Sequence, residues 1–374
     1  MLPRHVYVHV PFCARRCSYC DFAIAVRRLV PVREYVDALS AELALRYGAP
    51  GAPERWELDT LYFGGGTPSR LGGAGLAEAI AAVRRHAALA PGAEVTAEAN
   101  PDDVDAESAA AWVRAGVNRL SLGVQTFSEA ALGWMHRSHD AGRAAEAVRA
   151  AREAGIENLS VDLIFALPAG VARSWERDLD AALALEPSHV SLYGLTVEPH
   201  TPLGRWHARG DVAEADEGRY EEEFLRAHDT LARAGFEHYE VSNFARPGRR
   251  SRHNASYWRG VPYAGLGPSA HEYDGEERRW NASPYADWVL RLREGRDPLE
   301  GAERLTPENR EAETVYLGLR TTDGLALREG EAGMVGPWVS AGWAAVAGDV
   351  LRLTPLGWLR LDSLAASLTA HRSR

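Results

Sequence analysis

The three cysteines of this 374-residue chain, Cys13, Cys17 and Cys20, lie within eight positions of one another in the stretch Tyr7–Phe22, YVHVPFCARRCSYCDF. Thiolates are soft ligands suited to iron–sulfur clusters and zinc, and a short C-x3-C-x2-C loop can wrap three of them round one centre. An odd count in a long chain argues against a disulfide framework. A structural zinc held by the cysteines and His9 is the competing reading, although zinc sites ordinarily use paired C-x2-C knuckles. A [4Fe–4S] cluster with three cysteine ligands leaves one iron open, which can hold a substrate or cofactor as well as pass electrons.

The other chemistry-bearing residues fall at the ends of short apolar runs. Gly64-Gly65-Gly66-Thr67-Pro68 follows one run, Glu98-Ala99-Asn100-Pro101 ends the next, Gln125 ends another, Tyr193-Gly194 ends a later one, and Asp162 lies inside the run before that. In parallel barrels and wound sheets, ligands sit at the carboxyl edge, where strand ends converge. Taken singly, the glycines make a tight turn or admit a ligand to the backbone, and Glu98 or Asp162 is a ligand group, a helix cap or a solvated strand end. Together they predict one pocket above the cysteine loop.

Positioning them falls to alternating strands and helices, the pattern of successive βα units. Strands are predicted near Val6–Val10, Leu58–Phe63, Glu94–Glu98, Arg119–Val124, Leu159–Phe165 and His189–Leu195, with helices near Val32–Arg46, Leu76–Ala88, Ala106–Ala115, Gly142–Ala154 and Ser174–Leu183. Six units make a partial barrel or an open wound sheet, and length alone does not choose. A helix over Glu214–Ala234 and a strand over Glu237–Val241 follow, and the polar segment Arg293–Leu305 reads as a linker. Gly265-Leu-Gly-Pro-Ser-Ala270 matches a dinucleotide fingerprint only loosely, with Pro268 in the turn and no strand predicted before it. From Thr306, helix Pro307–Arg320, a helix near Gly336–Ala341, an alternating pair over Ala344–Leu353 and a helix Pro355–Leu368 predict a winged-helix-like module.

Hydrophobic residues make up 46% and charged residues 25%, ordinary for a globular chain. With a net charge of −10 and no basic stripe in the tail, no nucleic-acid partner is expected. All 42 basic residues are arginine, which excludes a Walker A loop, a lysine Schiff base and a lysine nucleophile. No apolar run reaches the roughly 18–20 residues of a membrane span and no signal-peptide pattern precedes Val6, so the expected compartment is the reducing cytoplasm.

The cysteine spacing, with Tyr19 before the last cysteine, resembles the signature of radical S-adenosylmethionine (SAM) enzymes, in which the open iron chelates SAM and an electron from the cluster cleaves it to a 5′-deoxyadenosyl radical. GGGTP resembles that family's glycine-rich segment for the amino group of SAM. In order, EANPD, SLGVQTF, MHRSH, VDLIFALP and GLGPSA resemble the subfamily of oxygen-independent coproporphyrinogen III oxidases and the related HemW haem chaperones. The resemblance implies an α/β fold, a partial (β/α)6 barrel with a C-terminal winged-helix-like domain. The implied division is a radical SAM core over 1–235, a barrel extension and linker over 236–305, and the C-terminal domain over 306–374. It also implies that Tyr7, Tyr19, Gly65, Gly66, Thr67, Glu98, Gln125, Arg137, Asp162, Gly194 and His271 line a SAM site, with Cys13, Cys17 and Cys20 holding a [4Fe–4S] cluster. Arg137 would pair the methionine carboxylate, and acids or amides the ribose hydroxyls.

Within that subfamily the oxidase is expected to carry a further cysteine two positions past the cluster motif, where Phe22 stands, and a longer segment ahead of the motif. Both departures favour the chaperone branch, as does His253-Asn254-Ala255-Ser256-Tyr257-Trp258, which resembles that branch's H-N-x-x-Y-W pattern. A histidine beside two aromatics could be an axial haem ligand with a flat wall, or a histidine hydrogen-bonded within a loop. On the first reading Arg249, Arg250 and Arg252 would pair haem propionates. The implied partners are haem or porphyrin, haem-accepting proteins and a flavodoxin-type electron donor, with peripheral membrane contact left open. The alternatives are a coproporphyrinogen III dehydrogenase and a zinc-stabilised binding protein.

Overall fold

The structure, a computed structural model, describes residues 2–51 and 56–373. Six strands, His5–Val10, Glu57–Gly65, Ala88–Ala99, Arg119–Gln125, Asn158–Phe165 and His189–Gly194, pair in parallel, each with the next. Runs such as Val6-Val8-Val10 and Leu120-Leu122-Val124 are fully buried, as strands covered by helices require. The alternating helices are Val32–Tyr47, Gly72–Arg84, Ala106–Ala115, Ala141–Glu153 and Trp175–Ala184. Asp105, Asp140 and Ser174 cap the last three, each accepting from the amide three residues on. The second helix starts four residues before the expected Leu76, because the Pro68–Leu71 turn launches it directly through Gly72 and Gly73. Ala88, expected at its end, instead opens the next strand opposite Glu57.

The sheet gains a strand at one edge, Ala264–Leu266, parallel to His5–Val10, and two antiparallel strands at the other, Asn243–Ala245 and Glu237–Glu240. It therefore keeps two edges, as a partial barrel does. The short strand at Ala264 sits where none was predicted ahead of Gly267. A Cβ on Gly267, at φ +92°, would lie 2.4 Å from the His9 carbonyl oxygen, so this glycine lets the chain pack on the first strand. Buried Glu42 ties this edge to the first helix: it accepts from the Gly267 amide (2.8 Å), Asn281 Nδ2 (2.6 Å) and Trp288 Nε1 (3.0 Å) and pairs with Arg46.

The expected linker over Arg293–Leu305 is corrected. Its second half forms the strand Leu299–Arg304, the edge of a three-stranded antiparallel sheet with His271–Tyr273 and Glu277–Asn281. Its side chains are nearly all exposed, and Gly301 passes under the Trp280 ring where a Cβ would come within 2.4 Å, so backbone pairing builds a strand that composition hides.

The C-terminal part holds helix Pro307–Arg320, a three-stranded antiparallel sheet of Leu325–Ala326, Val350–Leu353 and Ala344–Ala347, and helices Ala332–Ser340, Pro355–Trp358 and Leu361–Arg372. The last two were expected as one helix; the chain breaks at Leu359-Arg360. This part docks on the barrel through Arg320 paired with Glu240 at 2.8 Å and Trp358 against His238 at 4.4 Å between ring centres. Among the described residues no helix is long and apolar enough to cross a membrane.

Candidate cofactor site

Phe12-Cys13 pairs with Ala25-Val26, and the amides of Ala25 and Arg27 donate to the carbonyls of Pro11 and Cys13, so the segment between them closes as a loop. Ser18 fixes its far side, donating to the Met135 carbonyl (3.1 Å) and accepting from the Leu203 amide (2.8 Å). Cys13, Cys17 and Cys20 are free thiols that line one cavity of about 420 Å³ at the carboxyl edge of the sheet. Among the described residues no three His, Cys, Asp or Glu side chains converge as a single-ion site, and a four-iron cluster asks instead that each thiolate meet a different iron.

His9 does not join the cysteines. Its Nε2 lies 2.9 Å from the Ala23 carbonyl and so carries the proton, leaving Nδ1 to accept from the Tyr7 hydroxyl at 3.2 Å. Burial lowers its pKa to about 4. With both nitrogens engaged, His9 is not available as the fourth ligand of the zinc reading.

The cavity gathers the remaining groups from separate strands. Arg137, just after the Glu129–Trp134 helix, reaches Asn100 Oδ1 and the Gly123 carbonyl at 2.6 Å each, with Nη1 3.5 Å from Cys17 Sγ. Its buried Nε has no partner, a donor left over in the wall. Glu98 accepts from the Tyr62 hydroxyl at 2.7 Å and the Gly65 amide at 3.1 Å, and burial nonetheless pushes its carboxyl up to about 7. Asp162 accepts from the hydroxyls of Ser121 (3.0 Å) and Ser160 (3.2 Å), and burial raises it too. Gln125 ends its strand at φ +71°, a left-handed conformation uncommon outside glycine, at the cavity wall.

Tyr19, Gly65, Gly66, Thr67 and Gly194 also line this cavity. Cβ atoms on Gly65 and Gly66 would come within 2.5 Å of the His9 ring and 2.6 Å of the Pro11 carbonyl oxygen, so these glycines seat the turn against the first strand. Two residues of the expected set stand elsewhere. Tyr7 lies one layer below, stacked on Tyr62 at 6.1 Å and bonded to His9. His271 is exposed on the small antiparallel sheet, stacked on Trp280 at 5.7 Å, outside the cavity lining. Asn100, which fixes Arg137, lies within EANPD, where nothing in its spacing marks it as the partner of an arginine 37 residues on.

The H-N-x-x-Y-W segment is the helix Arg252–Trp258, which plugs the amino end of the barrel: the amides of Arg252 and His253 both donate to Glu94 at 3.0 Å. His253, the expected axial haem ligand, lies inside this plug. The residue is 1% exposed, its Nδ1 lies 2.7 Å from Thr60 Oγ1 and its Nε2 2.7 Å from the Tyr257 hydroxyl. Its ring stacks on Tyr62 at 4.9 Å, and burial lowers its pKa to about 3. Of the expected propionate trio, Arg252 donates to the Gly92 carbonyl at 2.6 Å, Arg249 faces Glu157 at 3.9 Å, and Arg250 lines a cavity. That cavity, a second one, is also lined by Tyr257 and Trp258.

Residues 7–182 match the model of the radical SAM superfamily. The heme chaperone HemW of Synechocystis is 39% identical over 334 residues, covering 87% of this chain and 80% of that protein. The heme chaperone HemW of Mycobacterium tuberculosis is 38% identical over 372 residues, covering 98% and 95%. The chain belongs to the HemW family of the radical SAM superfamily. Among solved structures, the radical SAM enzyme coproporphyrinogen III oxidase of Escherichia coli superposes with a TM-score of 0.81 at 22% identity, over 99% of this chain and 91% of that one, which shows a common fold. Superfamily membership implies a [4Fe–4S] cluster and SAM. The residues present fit both: three free thiols on one loop, an arginine with a spare donor, and two buried carboxyl groups facing the same space.

Proposed function

We propose that the chain is a cytoplasmic haem chaperone that holds a [4Fe–4S] cluster on Cys13, Cys17 and Cys20, binds SAM beside it and passes haem to acceptor proteins. The observation that carries the cofactor half is the convergence of the three thiols, Arg137, Glu98 and Asp162 on one cavity. The haem half draws on the kinship with proteins named heme chaperone.

When bound, the cluster would supply one electron to the sulfonium of SAM. Arg137 is suited to the methionine carboxylate, through a guanidinium already fixed in orientation by Asn100 and Gly123. Glu98 and Asp162 would accept from the amino group and the ribose hydroxyls, while Tyr19, Thr67 and Gln125 complete the wall. Gly194 also lines the wall and makes room for Tyr220, whose hydroxyl would lie 2.4 Å from a Cβ there. A flavodoxin-type electron donor would approach the loop where Arg15, Arg16, Arg27 and Arg28 are exposed around Phe22 and Leu29, and peripheral membrane contact would use the same basic and apolar patch.

Phe22 also argues against the alternative, a coproporphyrinogen III dehydrogenase. It stands where the resemblance expects that enzyme's further cysteine, and it lines the cavity. The test is anaerobic reconstitution with iron and sulfide, followed by metal and acid-labile sulfide analysis and SAM binding by equilibrium dialysis. Iron and sulfide in cluster ratio with one SAM per chain supports the reading; colourless protein with stoichiometric zinc overturns it.

A further inference from the structure

The barrel strands alternate apolar residues such as Leu120, Val161 and Val190 with a polar set: Arg119 and Ser121, Ser160 and Asp162, His189 and Ser191. Part of that set joins end to end. Asp162 Oδ1 lies 3.2 Å from Ser160 Oγ, Ser160 Oγ lies 2.8 Å from His189 Nδ1, and His189 Nε2 lies 2.9 Å from the Tyr239 hydroxyl, which also accepts from the Ser251 amide at 3.3 Å. Ser191 Oγ flanks the first junction, 3.4 Å from Ser160 Oγ. Ser160 and His189 are fully buried and Tyr239 is 3% exposed. The chain starts at Asp162 in the cofactor cavity and ends on Tyr239, which lines the second cavity, about 690 Å³, at the amino end of the barrel.

Two arrangements of hydrogens satisfy this chain. An ionised Asp162 only accepts, so Ser160 donates to it and accepts from His189 Nδ1–H, and Nε2 accepts from the Tyr239 hydroxyl. A protonated Asp162 donates to Ser160; Ser160 then donates to Nδ1, Nε2–H donates to Tyr239, and the tyrosine's own hydrogen turns away from His189. Between the two, Ser160, His189 and Tyr239 each take one proton and give one, and a single proton has crossed from Asp162 to the far side of Tyr239. His189 stays neutral in both, because burial and then the Arg119 guanidinium hold its pKa well below the usual imidazole range. The ionisable groups facing the chain are Arg119, which acts on both its ends, Glu98, Tyr62 and Tyr193 around Asp162, and Glu94 and Glu240 near Tyr239.

We propose that Ser160, His189 and Tyr239 are a proton relay, through which Asp162 passes its proton to the amino end of the barrel when SAM covers it at the carboxyl end. The trigger rests on the SAM reading above, and the relay on the hydrogen-bond geometry. An ionised carboxylate accepts on both oxygens, whereas a protonated one spends an oxygen as a donor; burial favours the protonated form of Asp162 in the empty site. SAM filling the cofactor cavity would displace the water that could take this proton, while the second cavity has room for water at the other end. His189 and Tyr239 line no part of the cofactor cavity. They are positioning residues, acting on SAM through the charge of Asp162.

The test is nitrogen nuclear magnetic resonance of the full chain, cluster reconstituted and oxidised, labelled in the histidine rings, with the His189 signals taken as those lost in His189→Gln. From about pH 5 to about pH 9 the proton is expected to move from Nε2 to Nδ1 with no imidazolium signal. Adding SAM at a pH where Nε2–H prevails should move it to Nδ1 as well. Ser160→Ala cuts the chain and should leave one tautomer at every pH, with or without SAM; Asp162→Asn, which has no proton to give, should do the same and keeps the test valid should Ser160→Ala misfold. A single His189 tautomer throughout in wild type, as a purely structural histidine would show, overturns the relay. So does an exchange that survives in the folded variants, or SAM that binds without moving the proton. Exchange with pH in a chain that binds no SAM supports the relay and overturns the SAM reading.

Discussion

The imidazole of His253 lies on the ring of Tyr62, centres 4.9 Å apart and planes 25° apart, and the hydroxyl of that same tyrosine donates to Glu98 at 2.7 Å. One residue thus joins the plug at the amino end of the barrel to the wall of the cofactor cavity at the other. Because His253 also bonds Thr60 and Tyr257, its removal opens a cavity, leaves the Tyr257 hydroxyl unmatched and leaves Thr60 with His5 alone. His253→Ala should lower unfolding free energy by about 3 kcal/mol, read from urea denaturation. Unchanged stability would contradict its role as a plug.

The three thiols act as one ligand set. Each of Cys13→Ala, Cys17→Ala and Cys20→Ala should abolish the reconstituted cluster, since two thiolates are too few to retain it. Acid-labile sulfide and electron paramagnetic resonance of the reduced protein check this; a full cluster signal in all three variants would refute the assignment.

Arg137 is fixed by one acceptor just past the end of a strand, Asn100, and one on the next strand, Gly123, and stands beside Cys17. Arg137→Lys keeps a charge but loses the planar fork, so SAM affinity should fall about tenfold or more, about 1.4 kcal/mol, with the cluster retained. Equilibrium dialysis with labelled SAM measures it, and an unchanged affinity removes Arg137 from the carboxylate role.

Glu98 gives a pH signature. Burial raises its carboxyl from an ordinary 4.5 to about 7 in the folded protein, so folding binds a proton. The stability this contributes is fully present below about 4.5 and is lost as pH rises through about 7, a change of about 3 kcal/mol. Wild-type apoprotein should therefore lose more stability between pH 5 and pH 8 than Glu98→Gln, in thermal melts at matched ionic strength. Parallel pH profiles of the two proteins would contradict the shift.

The barrel was legible because its strands are continuous apolar runs and its helices carry polar caps, so period and punctuation agree. The cysteine loop and the strand-end residues were legible for a related reason: a parallel sheet delivers strand ends to one edge wherever the sequence places them. What escaped was set by contacts distant in sequence. The Leu299–Arg304 edge strand has almost no buried side chain to give it a period. The contacts of His253 were likewise hidden, because its partners Thr60 and Tyr62 lie almost two hundred residues earlier. Gly65 looked like a ligand cradle, and the Cβ it lacks would strike His9. Gly65→Val should therefore disturb the first strand as well as SAM binding.

The central claim is tested most directly by giving anaerobic, cluster-loaded protein SAM and a reductant, with haem in one reaction and coproporphyrinogen III in the other. The account predicts that haem stays bound and transfers to an added haem-free acceptor, while coproporphyrinogen III is recovered intact with no release of carbon dioxide. Oxidative decarboxylation of its propionates, with no stable haem binding, would contradict it.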